Sequence, residues 1–535
     1  MKRIAYIIIG LMGMMTVQAQ NIKERIQVQT DKDFYLAGEK MGLKLYGTDT
    51  EGKALPFSRV AYVELLGDKD NAVRLKVEMN NATGEALMQL PYTLSSGIYD
   101  LVVYTRWMRR EGEQVFSRQK IGIFNSLRYT QSQDHIDFIE GEAPAPAPLP
   151  SGNGIQVKTN KTQYGNRESV KLSLSNLPQD ATLSVSVVRR DISLGETTNS
   201  SPTAYGTKGL FLPEVEGFII ESKPTGRGSQ PILRPNLTIQ GDDIQYYAGQ
   251  QTPDGSILFY TNTLKGVKEV VTGMEGEGHL ELVSPFIATP QAKMQPIKLY
   301  RQDEEALTER SLALQANELF YAEEAPQPTA PEKQFPNLKP KWVYDLDHYK
   351  RFSTFEETFI EFMPCVSTIG NKGNRRIVAF DADIHASGSG HTLVLLDGVA
   401  IMNHELLLAY APQLVKTVEV YVDDIAFGNQ LYNGILSIKT PNRKLSGFTL
   451  PNYSVVSEFE GTQANTDYPM PSAQADIKAY MPDFRHTLYW NPNVTSQDTE
   501  LECRTSDMCG TYIVKVEGRT PDGKTIQGYT SFEVK

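Results

Sequence analysis

Short apolar runs fenced by turn residues set the fold of this chain between Thr392 and Thr440. Leu393-Val394-Leu395-Leu396 is a hydrophobic strand that runs into Asp397-Gly398, a dipeptide that favours a tight turn. A helical stretch follows, then Val418-Glu419-Val420-Tyr421, and then Tyr432-Asn433-Gly434 leading into Ile435-Leu436-Ser437-Ile438. The order is strand, turn, helix, strand, loop, strand. Runs this short, bounded by turn formers, are those of buried strands.

The remaining chain is built from short alternating strands. Between 25 and 125, Ile26 to Thr30 and Gly97 to Tyr104 read at period two, and Met41 to Tyr46, Val60 to Leu66 and Val73 to Glu78 are further short strands. Turn residues separate them at the spacing of an antiparallel sandwich. The opening run, with Lys32, Tyr35 and Glu39, recurs as Lys161, Tyr164 and Glu168. Between the two copies lies Glu142-Ala143-Pro144-Ala145-Pro146-Ala147-Pro148-Leu149-Pro150, a semi-rigid spacer because alternating Pro favours an extended form. Residues 303–324 carry an amphipathic helical pattern, and Phe355 to Met363 another, with Ser353 or Thr354 as its cap. Arg376 to Phe380 is a further strand, and Asp381 to Gly390 a polar, Gly-rich loop.

Val394 to Ile401, Val418 to Tyr421 and Phe427 to Thr440 resemble, in order and spacing, the plug domain of TonB-dependent outer-membrane receptors. Asn429-Gln430-Leu431 stand where that family has a Gly-Ala pair. The resemblance implies a plug-like α/β unit over 341–445. Only 95 residues follow Thr440 in the 535-residue chain, so a plug without its own barrel is expected. Thr30 to Glu39 and Gly97 to Thr105 resemble macroglobulin-type β-sandwiches, as do Leu488-Tyr489-Trp490-Asn491-Pro492 and Thr505 to Gly518. The 211–300 region resembles the small β-sandwich inserted in bacterial envelope proteins of the same build.

The expected fold class is mainly β: tandem antiparallel, macroglobulin-like sandwiches plus one small α/β plug-like domain. Its parts are a sandwich at 22–128, a Pro/Ala linker at 142–153, and a second β unit at 154–205. A small β unit at 211–300 and a Pro-rich linker at 325–340 follow. The plug-like unit comes next, and strands at 475–535 complete a sandwich.

Lys2 and Arg3 precede an apolar run from Ile4 to Val17, and Val17-Gln18-Ala19 fits a cleavage site, so 1–19 reads as a signal peptide. The run is shorter than the roughly 20 residues a membrane-spanning helix needs. The expected location is the periplasm or outer membrane of a Gram-negative cell, including its surface, with peripheral rather than integral attachment. A net charge of −11 argues against nucleic-acid binding. Cys503 and Cys509 flank a turn at Thr505 to Met508; a cross-strand disulfide and two free thiols both suit that spacing. Cys365 reads as a buried apolar thiol.

The chain carries no catalytic pattern. Ser389 in Ser387-Gly388-Ser389-Gly390-His391 lacks the frame of a nucleophile elbow. The seven histidines form no His-x-x-x-His pair, and Asp242-Asp243 and Asp423-Asp424 lack calcium-loop spacing. The Gly-Cys-Gly-Glu-Gln thioester of protease-trapping macroglobulins is absent from the sequence. No enzyme activity, cofactor or metal is expected.

Two non-enzymatic functions remain, beside a hydrolase with a dispersed site as the third reading. One is protein binding by the plug-like unit, with an outer-membrane β-barrel as the partner that the resemblance implies. Asp397, Gly398, Tyr432, Asn433 and Gly434 would be its contact surface, or would simply be tight turns. The alternative is a surface protein that binds carbohydrate or a host ligand, with Trp107, Trp342 and Trp490 as stacking platforms.

Overall fold

The computed structural model describes residues 22–68, 72–128, 135–141, 148–190, 192, 210–226, 228, 230–287, 294–320, 334–335, 337–382, 391–464 and 481–535. The signal-peptide reading of 1–19, Ser389, half of the 142–153 linker and most of the 325–340 linker lie outside the described residues. The chain divides into two units: one of residues 1–215, 286–327 and 463–535, the other of 216–285 and 328–462.

In the first unit, eight strands of the 22–128 region follow one ladder in the order Arg25–Thr30, Lys40–Thr48, Thr83–Gln89, Ala72–Asn80, Val60–Leu66, Gly97–Tyr104, Ser117–Phe124, Phe34–Leu36. Ala72–Asn80 passes from one sheet to the other: it pairs with Val60–Leu66 over most of its length, and only Met79 and Asn80 pair with Gly84 and Thr83. Leu43, Leu45, Val63, Leu65, Leu101 and Val103 are fully buried, and Lys44, Glu64 and Val102 between them are buried as well, so these strands are covered on both faces. At about 25 cal/mol per Å² of apolar area removed from water, such positions supply most of the sandwich's stability.

A second sandwich joins segments that lie 300 residues apart in sequence. One sheet holds Gln156–Thr159, Ser169–Ser175 and Glu500–Arg504; the other holds Gln163–Tyr164, Thr525–Val534, Gly510–Arg519, Thr182–Arg189 and Thr487–Val494. Residues 154–189 alone would expose Val170, Leu172, Val185 and Val187, and Val514, Val516 and Phe532 cover them. Asn153, inside the expected linker, already pairs with Gln527.

The sequence repeat is a repeat of hydrogen bonds. Tyr35 donates its hydroxyl to Asp31 Oδ1 (2.7 Å), which also accepts from Gly42 N (2.8 Å). Tyr164 donates to Asn160 Oδ1 (2.7 Å), which accepts from Lys171 N (2.9 Å). Glu39 and Glu168 each accept from a backbone N–H three residues earlier, at Leu36 and Gly165, and pair with Lys32 and Lys161. Each Tyr then sits in a short strand that runs parallel to the last strand of its sandwich. Tyr99 and Tyr512 repeat a second device, each donating to the carbonyl four residues upstream (2.8 and 2.9 Å).

Two expectations are corrected in this unit, and the open alternative at Cys503 and Cys509 is decided. Thr505 to Met508 is no hairpin turn, because Glu500–Arg504 and Gly510–Arg519 lie in different sheets. Cys503 and Cys509 are accordingly both free: Cys503 points into the core opposite Val170, while Cys509 is exposed. Burial pushes the Cys503 thiol up to about 12. Native protein should therefore show one fast thiol toward a disulfide reagent, and three after denaturation; a single titratable thiol in denaturant would restore the disulfide. The second correction is a boundary. Ile297–Tyr300, assigned by sequence to the 211–300 unit, pairs in parallel with Ile136–Ile139 and leads into the helix Asp303–Phe320.

In the second unit, Gln250–Gln251, Ile257–Tyr260, Ile219–Thr225 and His279–Leu282 form one four-stranded sheet. Tyr246–Ala248, Leu233–Ile239, Val267–Glu275 and Val455–Glu460 form another, so the small sandwich takes its edge strand from beyond the α/β region. That region is a mixed five-stranded sheet in the order Trp342–Asp345, Thr417–Phe427, Gln430–Lys439, Leu393–Leu396, Val399–Ala400. Leu393–Leu396 runs parallel to Gln430–Lys439, and the connection between them contains the short helix His404–Leu408, as the sequence order requires. The helix Phe355–Phe362 is capped by Thr354, whose side chain accepts from Glu357 N. It buries Phe355 and Phe359 against Leu396, Val418 and Ile438. Cys365 is fully buried in this cluster.

Candidate functional site

Asp397-Gly398 is a turn and is buried, whereas Tyr432-Asn433-Gly434, expected as a turn, lies inside the strand Gln430–Lys439 with Asn433 partly exposed. Asp397 is fully buried, and its carboxylate accepts from Thr440 N (2.7 Å), Thr440 Oγ1 (2.6 Å) and Leu445 N (2.7 Å). Its own carbonyl accepts from Gly241 N (2.9 Å). Asp397 has φ 48° and Gly398 φ 83°, and a Cβ on Gly398 would lie 2.8 Å from the Ile239 carbonyl oxygen. Only Gly suits both demands at that position. The Asp-Gly turn thus locks the 440–445 loop and meets the small sandwich, and is not a surface for a partner.

Tyr432 is buried, with its hydroxyl 2.8 Å from the Tyr246 hydroxyl and 3.1 Å from Gln430 Oε1. Asn433 donates its side-chain amide to Asp424 (2.6 Å) and its backbone N–H to the His391 carbonyl (2.8 Å). Gly434 has φ 91° and leaves a Cβ only 2.6 Å from the Tyr421 carbonyl. Asp397, Gly398, Tyr432 and Gly434 are buried, while Asn433 is partly exposed and bonded to Asp424.

The stacking platforms are also largely withdrawn. Trp107 is buried and donates to the Ile22 carbonyl (2.9 Å), and Trp490 is buried against Gly42. Trp342 is half-buried, with the Lys341 ammonium 4.7 Å from its ring centre. Within the expected 325–340 linker, Gln334 exchanges two hydrogen bonds with the Tyr246 backbone (both 2.9 Å), and Phe335 packs on Phe427.

Two other features of the second unit are open to a ligand. One is the outer edge of Trp342–Asp345, which has Thr417–Phe427 as its neighbour on one side and no strand on the other among the described residues. Tyr344 points into the core, and Val343, on the opposite face, is 57% exposed. The opposite end of the sheet is Val399–Ala400, two residues long and buried.

The other feature is a pocket of about 30 Å³ lined by Arg234, Glu275, Arg376, His391, His404 and Tyr432, with apolar walls from Leu393 and Ile401. His404 Nδ1 accepts from Ile377 N (2.9 Å), which puts the ring proton on Nε2. Burial, then Arg376 and Arg234, hold His404 neutral down to about 4. His391 Nδ1 lies 3.1 Å from an Arg376 guanidinium nitrogen, and burial with both arginines lowers it as well. Glu275 is 3.8 Å from Arg234 and 3.6 Å from Arg376, close enough to pair but beyond hydrogen-bond reach. No Ser or Cys nucleophile lines the pocket, and among the described residues no three His, Cys, Asp or Glu side chains gather to hold a metal. The arrangement is suited to binding. Sequence reasoning missed it because its residues come from separate strands and loops, and His391 and His404 share no ligand spacing.

No protein-family model matches the chain, and no curated protein matches it. Among solved structures it is similar to Salmonella alpha-2-macroglobulin reacted with methylamine, at 8% identity, 96% of this chain, 40% of that chain and TM-score 0.22. It is similar to native E. coli alpha-2-macroglobulin at 10% identity, 96% and 40% coverage and TM-score 0.23. The E. coli adhesin FdeC is similar at 10% identity, 48% and 64% coverage and TM-score 0.15. The chain thus spans about 40% of the length of the macroglobulins it matches. At these TM-scores the likenesses assign no activity, ligand or partner, and the β-sandwich class rests on the strand pairing itself. The molecule is a tandem β-sandwich protein carrying one α/β unit.

Proposed function

We propose that the chain is a non-enzymatic, modular cell-envelope protein, exported to the periplasm or the cell surface, whose α/β unit binds a protein partner. The observation that carries this reading is the open edge at Trp342–Asp345. An unpaired strand edge offers backbone donors and acceptors to an incoming strand, and natural sheets usually blunt such edges with charge, proline or a cover. Here Lys339-Pro340-Lys341 precede the strand and Asp345 ends it, and between these flanks Val343 and half of Trp342 stay exposed on an edge with no neighbouring strand among the described residues. The sandwiches then serve as spacers that present the α/β unit. An outer-membrane β-barrel is the partner class suggested by the plug-like order of strands and turns. Among the described residues no helix is long and apolar enough to cross a membrane.

The test is affinity capture from solubilised envelopes with the native chain and with Val343→Lys, which places a charge on the edge without disturbing the core. A defined partner should be retained by the native chain and reduced about tenfold by the variant, roughly 1.4 kcal/mol, because a charge replaces an apolar contact. Equal recovery by both chains would remove this edge from the interface.

A further inference from the structure

The pocket beside Tyr432 holds an excess of hydrogen-bond donors. Arg234 and Arg376 bring two guanidiniums, and each histidine whose Nδ1 is occupied as an acceptor carries its proton on Nε2. The single charged acceptor in the lining, Glu275, stands 3.6 and 3.8 Å from the two arginines, so it leaves donor capacity unspent. Charge points the same way. With both histidines neutral, two guanidiniums against one carboxylate leave one positive charge uncompensated. A monoanion balances that charge, and a dianion exceeds it. The enclosed space is also small: about 30 Å³ admits one or two waters or a group of carboxylate size. A planar carboxylate matches the guanidinium fork.

We propose that this pocket is a carboxylate-binding site, with Arg234 and Arg376 as the charged donors and His391 and His404 as neutral ones. The carboxylate belongs either to a small free acid or to the C-terminus of a peptide. The site is independent of whether the Trp342 edge takes a partner. No covalent step is involved; the ligand replaces water.

The test uses the full chain, titrated with acetate, with sulfate as the dianion control, and with an N-acetylated dipeptide bearing either a free C-terminus or an amide. Heat and the resonances of carbon-labelled histidine rings are both read. Saturable acetate binding should shift His391 and His404 among the seven histidines, and it should exceed sulfate binding. Arg376→Gln should weaken it about tenfold, the loss of one charge-assisted hydrogen bond. Glu275→Gln should strengthen it severalfold, because the competing carboxylate is gone; this gain does not depend on a damaged fold. Stronger binding of the free-acid peptide than of acetate identifies a peptide terminus, and equal binding a small acid. No saturable acetate binding, sulfate preferred to acetate, or no gain in Glu275→Gln overturns the proposal.

Discussion

Replacing Arg310 with Ala is expected to cost the first unit about 3–5 kcal/mol of stability at neutral pH, the usual result of stranding one member of a buried ion pair. Arg310, on the helix Asp303–Phe320, is 1% exposed. It meets Glu39 through Nε (2.8 Å) and a terminal nitrogen (2.7 Å), and donates to the Phe34 carbonyl (3.1 Å). Lys32 stands 3.0 Å from the same carboxylate and would cover part of the loss. The pH dependence gives a second readout. Burial pushes the Glu39 carboxyl up, but Arg310 and Lys32 outweigh it and hold it at about 2. A carboxylate depressed below its ordinary 4.5 contributes stability above that value and loses it as pH falls from 4.5 toward 2. Without Arg310 the burial effect gains weight, so the variant's deficit should shrink as acid protonates Glu39. Urea unfolding in a Trp342→Phe background isolates the first unit, because Trp107 and Trp490 both belong to it. A deficit that stayed constant from pH 7 to pH 3 would speak against the ion pair.

The second large effect is expected at Asp397. Its Ala variant leaves three donors, at Thr440 N, Thr440 Oγ1 and Leu445 N, without their acceptor in a fully buried site. It also places Ala at φ 48°. Together these should lower the stability of the second unit by about 2–4 kcal/mol. Asn tolerates that backbone conformation and keeps one acceptor oxygen, so Asp397→Asn should cost roughly half as much. Fluorescence of Trp342, which belongs to the second unit, follows the transition in a chain lacking the other two tryptophans. If Asp397→Ala left stability unchanged and weakened partner capture instead, the turn would be a contact surface after all.

Local order was legible in the sequence, while its long-range closure was not. Short runs bounded by turn residues placed the strands of the first sandwich, and the Lys-Tyr-Glu spacing marked two copies of one opening, because hydroxyl, carboxylate or amide, and turn must stand at fixed offsets to close it. Of the strand-turn-helix-strand-loop-strand order at 392–440, the strands, the Asp-Gly turn and the helix were readable because each is short and bounded by marked residues, whereas the stretch through Tyr432-Asn433-Gly434 belongs to the strand Gln430–Lys439. Sandwich closure was hidden, because nothing in Leu172 or Val187 specifies that the covering strands arrive from 500–534. For the same reason the Val455–Glu460 edge strand and the transfer of Ile297–Tyr300 could not be foreseen. Turn residues announce a turn and say nothing of what covers it: Asp397-Gly398 carries the chemistry of a surface turn and lies against Ile239 and Gly241. Cys503 and Cys509 had a suitable spacing for a hairpin, but the chain crosses between sheets there. The carboxylate pocket draws on residues from 234 to 432, a purely spatial relation.

Photo-crosslinking in intact cells tests the central claim most directly, with the reactive side chain placed at position 343 on the sheet edge and, as a control, at exposed position 497 on the second sandwich. The account predicts one defined envelope protein linked from 343 and absent from 497. Links from 497 alone, or the same diffuse set from both positions, would contradict it.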